Sequence, residues 1–228
     1  METTTNSQIE QKAEELGAKA RLLSVAEKLF AERGLAATSI RDLARKAEVN
    51  IAAVNYYFGS KENLYLETLR HTFQKTVASS PKFEQILKEA QTAKTPQAAQ
   101  QAITEYIEVF MHFIFTSDEA RRHACLMSRE MSDPTPALDV VVAEFILPKH
   151  KALTALIVQA QPALTGSKDL PFYALSIVSQ CLHYHFALPI ILKLLNKKEM
   201  TPEVVNQVAK HIASFSLQAL KSLNLNNL

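Results

Sequence analysis

The stretch Thr38–Leu64, TSIRDLARKAEVNIAAVNYYFGSKENL, decides the fold, because it predicts two short helices joined by a tight turn. The first covers Ser39 to Lys46, with the Thr38 hydroxyl placed to cap its free N–H groups. Ile40, Leu43, Ala44 and Ala47 then recur at helical spacing and give it one apolar face. Glu48-Val49 is long enough only for a turn, and Asn50 is a suitable cap for the helix that follows. In that helix Val54 and Phe58 stand four apart and point inward with Tyr57 beside them. Ala52, Ala53, Asn55 and Tyr56 are left facing out. Two alanines on an exposed face let a backbone approach a DNA duplex closely, while an amide and a phenol can hydrogen-bond base edges or phosphates. That is the arrangement of a recognition helix in a major groove.

Working outward, Arg21 to Leu69 resembles the DNA-binding domain of the TetR family of bacterial transcriptional regulators. Leu22-Leu23-Ser24-Val25-Ala26-Glu27-Lys28-Leu29-Phe30 through Gly34 matches the family's opening helix. Thr38-Ser39-Ile40-Arg41-Asp42 and Val54-Asn55-Tyr56-Tyr57-Phe58-Gly59-Ser60-Lys61-Glu62-Asn63-Leu64 match its next two signatures. Two positions depart from the pattern. Glu48 stands where the family commonly has Gly, and a positive φ would cost a non-Gly residue there about 1 kcal/mol. Asn55 replaces the usual first Tyr, so the resemblance implies that the phosphate contact Tyr often makes is either absent or replaced by amide readout. Val49-Asn50-Ile51-Ala52-Ala53-Val54-Asn55-Tyr56 and Arg129-Glu130-Met131-Ser132-Asp133-Pro134-Thr135-Pro136-Ala137 are also similar to the CecR type within that family. That resemblance implies control of transport or drug-resistance genes and leaves the effector unnamed.

Composition supports an all-α chain. Of 228 residues 47% are hydrophobic, only four are Gly, and β-branched alternation is nearly absent. Gly34 and Gly59 fall at predicted helix junctions, where a C-terminal cap or sharp bend is needed. A formal charge of +2 argues against a binder that relies on phosphate charge alone. It is compatible with a small footprint aided by helix N-termini. Cys125 and Cys181 are too few and too far apart for a disulfide framework or a metal knuckle, which suits a reducing cytoplasm. METTTNSQIEQ lacks the basic-then-apolar pattern of a signal peptide, and no apolar run is long enough for a bilayer. A soluble cytoplasmic protein is expected, without metal or cofactor and without membrane contact.

Three parts are expected: a flexible arm or helical extension over 1–17, a helix-turn-helix DNA-binding domain over 18–77, and a helical ligand-binding and dimerisation domain over 78–228. The opening helix spans about Ala18 to Arg33, burying Leu22, Ala26, Leu29 and Phe30. A fourth starts near Ser60, with Leu64, Leu66, Leu69 and Phe73 on its apolar side. Pro81 and Thr95-Pro96 punctuate the passage to the second part. Further helices are expected over about 97–116, 117–131, 137–161, 169–195 and 201–223. Pro148 starts or kinks the third of these, and Pro189 bends or ends the fourth.

The helices over 169–195 and 201–223 are apolar over more than one stripe. In the last, Val204, Val208, Ile212 and Phe215 form a row flanked by Val205, Ala209, Ser216 and Leu220. A face that wide must cover more than its own core. A homodimer built from these two helices is expected, as in TetR-like proteins, and two reading heads would suit a pseudo-palindromic double-stranded operator. Phe110, Met127, Arg129, Met131, Tyr173, Gln180 and Tyr184 are candidate contacts for an unknown small-molecule effector. His183 and His185 lie two apart on a helix and so cannot chelate one metal. His112, with Glu105, Glu108 and Thr116, reads as a solvated face, and Arg121-Arg122-His123 as surface. Arg129-Glu130 is expected to be either a buried pair or a surface ion pair.

No Gly-rich phosphate loop, nucleophile elbow or metal-spaced His/Cys cluster is present, so no enzymatic activity is expected. The sequence thus points to a ligand-released transcriptional repressor. Thr38, Ser39, Arg41, Arg45, Asn50, Ala52, Ala53, Asn55, Tyr56 and Lys61 are its DNA-facing residues, Lys61 and Arg45 as phosphate contacts. The alternative is a helical protein-interaction adaptor without DNA binding.

Overall fold

The computed structural model describes residues 2–79, 81–90 and 95–223, and among them there is helix and no strand. The chain separates into two compact units. One comprises Met1–Thr76 with Arg122–Val141, and the other Val77–Arg121 with Val142–Leu228. The first crossing lies beside the boundary expected at residue 77. Residues 122–141, assigned from sequence to the C-terminal domain, pack instead with the helix-turn-helix unit. They do so because Leu126, Met127, Glu130, Ala137 and Val141 are buried there.

In the first unit α1 (Glu2–Arg33) leads into α2 (Ile40–Lys46), α3 (Ile51–Phe58) and α4 (Lys61–Ser79). The alternatives for residues 1–17 resolve as helix from Glu2 onward. Leu22, Ala26, Leu29 and Phe30 of α1 are buried as their spacing required, as are Leu43 and Ala44 of α2, Val54 and Phe58 of α3, and Leu64, Leu69 and Phe73 of α4. Polar contacts join these helices as well. Arg21 Nε donates to the Ala47 carbonyl at the end of α2, and the Lys19 ammonium lies 5.6 Å from the Phe58 ring centre. The unit is completed by most of α7 (Asp118–Ser132) and by α8 (Ala137–Val141).

The second unit is built around α6 (Pro96–Thr116), which Thr95 caps through the Ala98 N–H. It packs against α5 (Pro81–Ala90), α9 (Leu147–Ala160), α10 (Leu170–Phe186) and α12 (Pro202–Ser222). Ile103, Tyr106, Ile107, Met111 and Ile114 of α6 enter the core, and Phe110 packs at its edge. The helix α5 has no counterpart in the sequence pattern, in which Pro81 reads only as punctuation. Of the two alternatives for Pro148 in the 137–161 segment, the structure takes the first: Pro148 sits in the first turn of a new helix, α9, where no N–H is missed, after a π-helical turn, Val142–Ile146, that follows α8. The 169–195 segment is likewise broken. The helix α11 (Leu188–Leu194) leaves α10 at 84°, the break falling at Ala187, two residues before Pro189. No single helix among the described residues is long and apolar enough to cross a membrane.

On α12 the buried stripe is Val205, Val208, Ala209, Ile212, Ala213, Ser216 and Leu220. Phe215, expected in the apolar row with Val208 and Ile212, is 59% exposed. It joins Phe172, Leu175, Phe186, Ile190 and Leu194 as large apolar side chains that the second unit leaves uncovered.

Candidate nucleic-acid interface

The turn between α2 and α3 fixes how the second short helix is presented. The helix α2 closes on a Schellman arrangement: Glu48 N–H donates to Arg45 O and Val49 N–H to Ala44 O. That geometry requires a left-handed residue after the cap, and Glu48 supplies it with φ of +54°. The expectation of strain at this non-Gly position is met. Asn50 then caps α3, its Oδ1 accepting from Ala52 N–H at 2.9 Å.

With the cap set, α3 turns Val54 and Phe58 inward and leaves Ala52, Asn55 and Tyr56 exposed, Ala53 half-buried between them. Tyr56 is 73% exposed, and its ring stands edge-to-face with that of Tyr57, ring centres 5.0 Å apart. The outward flank of α3 is therefore slim and uncharged, with an amide and a phenol projecting from it.

Around this flank the remaining expected contacts divide. Ser39, rather than Thr38, caps α2, accepting from Asp42 N–H at 3.1 Å. Thr38 is 1% exposed, and its hydroxyl donates to Gly34 O at 2.7 Å, so it stabilises the α1–α2 turn and cannot reach a duplex. Arg41 is exposed and enters none of the described ion pairs. Arg45 is exposed but bonded to Asp42 at 2.7 Å. The Ser39 hydroxyl, then Arg45 and Arg33, hold the Asp42 carboxyl below the usual carboxylate range. Lys61 Nζ donates to Leu35 O at 2.9 Å, which makes it a clamp on the α1–α2 turn, although an ammonium keeps two further donors.

The effector candidates are divided between the two units. Met127, Arg129 and Met131 belong to the first unit, and Phe110, Tyr173, Gln180 and Tyr184 to the second. Met127 is buried core, and Met131 is 52% exposed at the end of α7. Arg129 Nε donates to Ala31 O at 2.6 Å and its Nη2 to Glu32 O. Glu130 is fully buried, and it is not paired with Arg129. Its Oε2 accepts from Tyr65 Oη at 2.7 Å, and its Oε1 from Thr135 N–H and Oγ1 at 2.7 and 2.9 Å. Burial, and then this bond, push the Tyr65 phenol above its ordinary range. Gln180 Nε2 donates to Ser216 Oγ, while Tyr173, Tyr184 and Phe110 lie at the edge of the second unit's core.

One further expectation is corrected and a second is refined. Arg122 and His123 are not free surface: Arg122 Nε bonds the buried Glu27 carboxylate at 2.7 Å, and His123 meets the Phe73 ring edge-on at 4.1 Å. The stripe carrying Glu105, Glu108 and His112 lines a cleft of about 500 Å³, within which His112 Nε2 lies 2.6 Å from Asn206 Oδ1. Sequence spacing could not show either, since both depend on partners distant along the chain. Among the described residues no group of three or more His, Cys, Asp or Glu side chains is placed to hold a metal ion.

Comparison with known proteins agrees with this geometry. Residues 22–68 match the family model described as bacterial regulatory proteins, tetR family. Residues 99–220 match that of the C-terminal domain of the HTH-type transcriptional dual regulator CecR. The CecR protein of Shigella flexneri is 36% identical over 144 residues, covering 61% of this chain and 63% of that protein. The HTH-type transcriptional repressor KstR2 of Rhodococcus jostii is 44% identical over 54 residues, 24% of this chain and 26% of its own length. The chain thus spans less than two thirds of the length of these curated relatives. Among solved structures, the TetR family regulator PfmR of Thermus thermophilus shares the fold with a TM-score of 0.59 at 20% identity, covering 87% of this chain and 94% of PfmR. The hemolysin II transcriptional regulator HlyIIR does so with a TM-score of 0.57 at 24% identity, covering 86% and 97%. The two family models together span both the helix-turn-helix and the greater part of the second unit, so the chain belongs to the TetR family of bacterial regulators, a family of transcription factors rather than enzymes, and within it to the CecR type.

Proposed function

We propose that this protein is a sequence-specific DNA-binding repressor that a small-molecule effector releases from its operator. The observation that carries the reading is the outward flank of α3, where Ala52, Asn55 and Tyr56 are exposed on a helix that Val54, Phe58 and the Asn50 cap hold in place. Small side chains permit close approach to the major groove, and Asn55 can bond an adenine edge through both atoms of its amide. Ser39, Arg41 and Arg45 are exposed on α2 and its cap, and Lys61 opens the helix that follows α3. The first unit is the DNA-binding domain in this reading, and the second binds effector and partner.

A homodimer is supported by the uncovered apolar side chains of α10, α11 and α12, which continue the wide apolar faces read in the sequence. Two heads held about 34–36 Å apart would read the two halves of a pseudo-palindrome. An effector in the second unit is supported by Gln159 Oε1 and His185 Nδ1, buried polar atoms with no hydrogen-bond partner in the described structure. Tyr173, Gln180, Tyr184 and Phe110 are the lining residues this reading retains. Transport or drug-resistance genes are the proposed targets, and a DNA target implies a cytoplasmic location.

A mobility-shift assay with DNA upstream of the chain's own gene tests the reading. Retardation that survives competitor DNA is expected, and Asn55→Ala should weaken specific binding by about 1–3 kcal/mol. Absence of any specific complex would instead favour an adaptor whose helix-turn-helix is scaffolding.

A further inference from the structure

The segment after Arg122 belongs by sequence to the C-terminal family model and by packing to the DNA-binding unit. Its polar side chains are spent on α1, α4 and the turn that leads to α2. At one end of α7, Arg122 and Lys75 of α4 both bond the buried Glu27 carboxylate of α1, at 2.7 and 3.3 Å. At the other end, the neighbours Arg129 and Glu130 grip two different elements. Arg129 donates to the carbonyls of Ala31 and Glu32, two of the last four carbonyls of α1, which have no partner within their own helix. A cation there also meets the negative end of the helix dipole. Glu130 holds Tyr65 of α4 and the 132–135 turn, and Tyr65 stands edge-on to Phe30 of α1, ring centres 5.0 Å apart.

Arg129 bears on the chain that leads to the reading helices. Gly34 closes α1 with φ of +77°, and a Cβ built there would lie 3.6 Å from Arg129 Nη1. Gly34 O accepts from Thr38, and Leu35 O from Lys61. Carbonyls 31, 32, 34 and 35 are therefore all held by side chains, two of them by a residue almost a hundred positions away. The next residues are Ser39, the cap of α2, and Asp42, its capping partner.

We propose that Arg129, with Glu130 locking its helix in place, is a positioning residue for operator binding. It orders the α1–α2 turn before DNA arrives, so that no ordering has to accompany binding. This inference rests on the DNA-binding reading above. It assigns a structural task in the reading head to a motif that sequence alone placed in an effector pocket.

The test uses the full chain and a duplex selected from random DNA by the wild-type protein. Arg129→Ala should bind that duplex about five- to thirtyfold more weakly. Its salt dependence should match wild type, because no phosphate contact is lost. Amide exchange over residues 34–39 should accelerate, while thermal unfolding shows the protein still folded at the assay temperature. Arg129→Lys, which keeps one donor, should recover part of the affinity, and Glu130→Gln should reproduce the defect more mildly. Affinity within about twofold of wild type in folded Arg129→Ala and Glu130→Gln would overturn the proposal. So would a flattened salt slope, which would make Arg129 a direct phosphate ligand, or unchanged exchange over 34–39. Should Arg129→Ala not fold, Arg129→Lys and Glu130→Gln carry the same comparison. If wild type selects no duplex, the DNA-binding reading fails, while the exchange experiment, which needs no DNA, still decides whether Arg129 orders the turn.

Discussion

Replacing Glu48 by Gly should stabilise the protein, although it removes an entire side chain. Glu48 holds φ of +54° at the end of α2, where the Schellman bonds to Arg45 O and Ala44 O leave no other conformation. A side-chain-bearing residue in the left-handed region costs roughly 1–2 kcal/mol. Gly removes that cost and gives back about 0.5–1 kcal/mol through its greater freedom in the unfolded chain. The net gain is about 0.75 kcal/mol at the middle of these ranges. For a chain of this length it corresponds to a rise in Tm of roughly 1–4 °C. Glu48→Ala is the control. It loses the same charge and keeps the strain, so its Tm should stay near wild type. Calorimetry on the three proteins at equal concentration measures the difference, and amide exchange at Val49 and Ala52 localises it. A Gly variant that melts at or below the Ala variant would refute the strain argument. If both variants gained equally, loss of the carboxylate and not relief of φ would be the cause.

Asn50→Ala removes the Oδ1 acceptor from Ala52 N–H and should cost about 1 kcal/mol, seen as faster exchange in the first turn of α3, with Asn50→Asp close to wild type. Arg41→Ala, losing an exposed cation without a described ion pair, should weaken binding to all sequences and reduce the salt slope by about one. Acidification should destabilise the fold. Burial first, and then Lys75 beside His71 and Arg121 near His185, lower both imidazoles below their ordinary value. The unfolded chain therefore takes up protons near pH 6.5 that the folded chain resists, so stability rises with pH through that value and falls on moving from about pH 7 to pH 5. The urea midpoint at the two pH values checks this, and a higher midpoint in acid would contradict it.

The reading helix was legible because its signals are local. A cap at Asn50, a four-residue apolar step from Val54 to Phe58 and a Gly at 59 suffice to orient the outward residues. The cap of α2 shows where local signals blur: Thr38 and Ser39 are adjacent and equally able, and only the fold, by burying Thr38 against Gly34 O, decides for Ser39. Arg129 and Glu130 were not legible at all. Their partners, Ala31, Glu32 and Tyr65, are distant in sequence, and a polar pair beside Met127 and Met131 suggests a ligand when those partners are unseen. The α5 helix was missed for a different reason. It is short, it opens on a Pro that reads as a break, and Lys82, Glu84, Lys88 and Glu89 interrupt the apolar positions around its buried Ile86.

Because residues 122–141 belong to the first unit, the reading head is assembled from two stretches of chain with Val77–Arg121 between them. During synthesis the first seventy-odd residues emerge without α7 and α8, and the head cannot finish folding until Val141 has left the ribosome. Closing that long loop costs little entropy, yet it must precede the bonds that reward it. A fragment ended at Thr76 would keep the motif by which this family is recognised and lose the partners of Tyr65 and of the α1 carbonyls. Its isolated head would be a worse DNA reader than the intact chain, even though it contains every residue proposed to face the duplex.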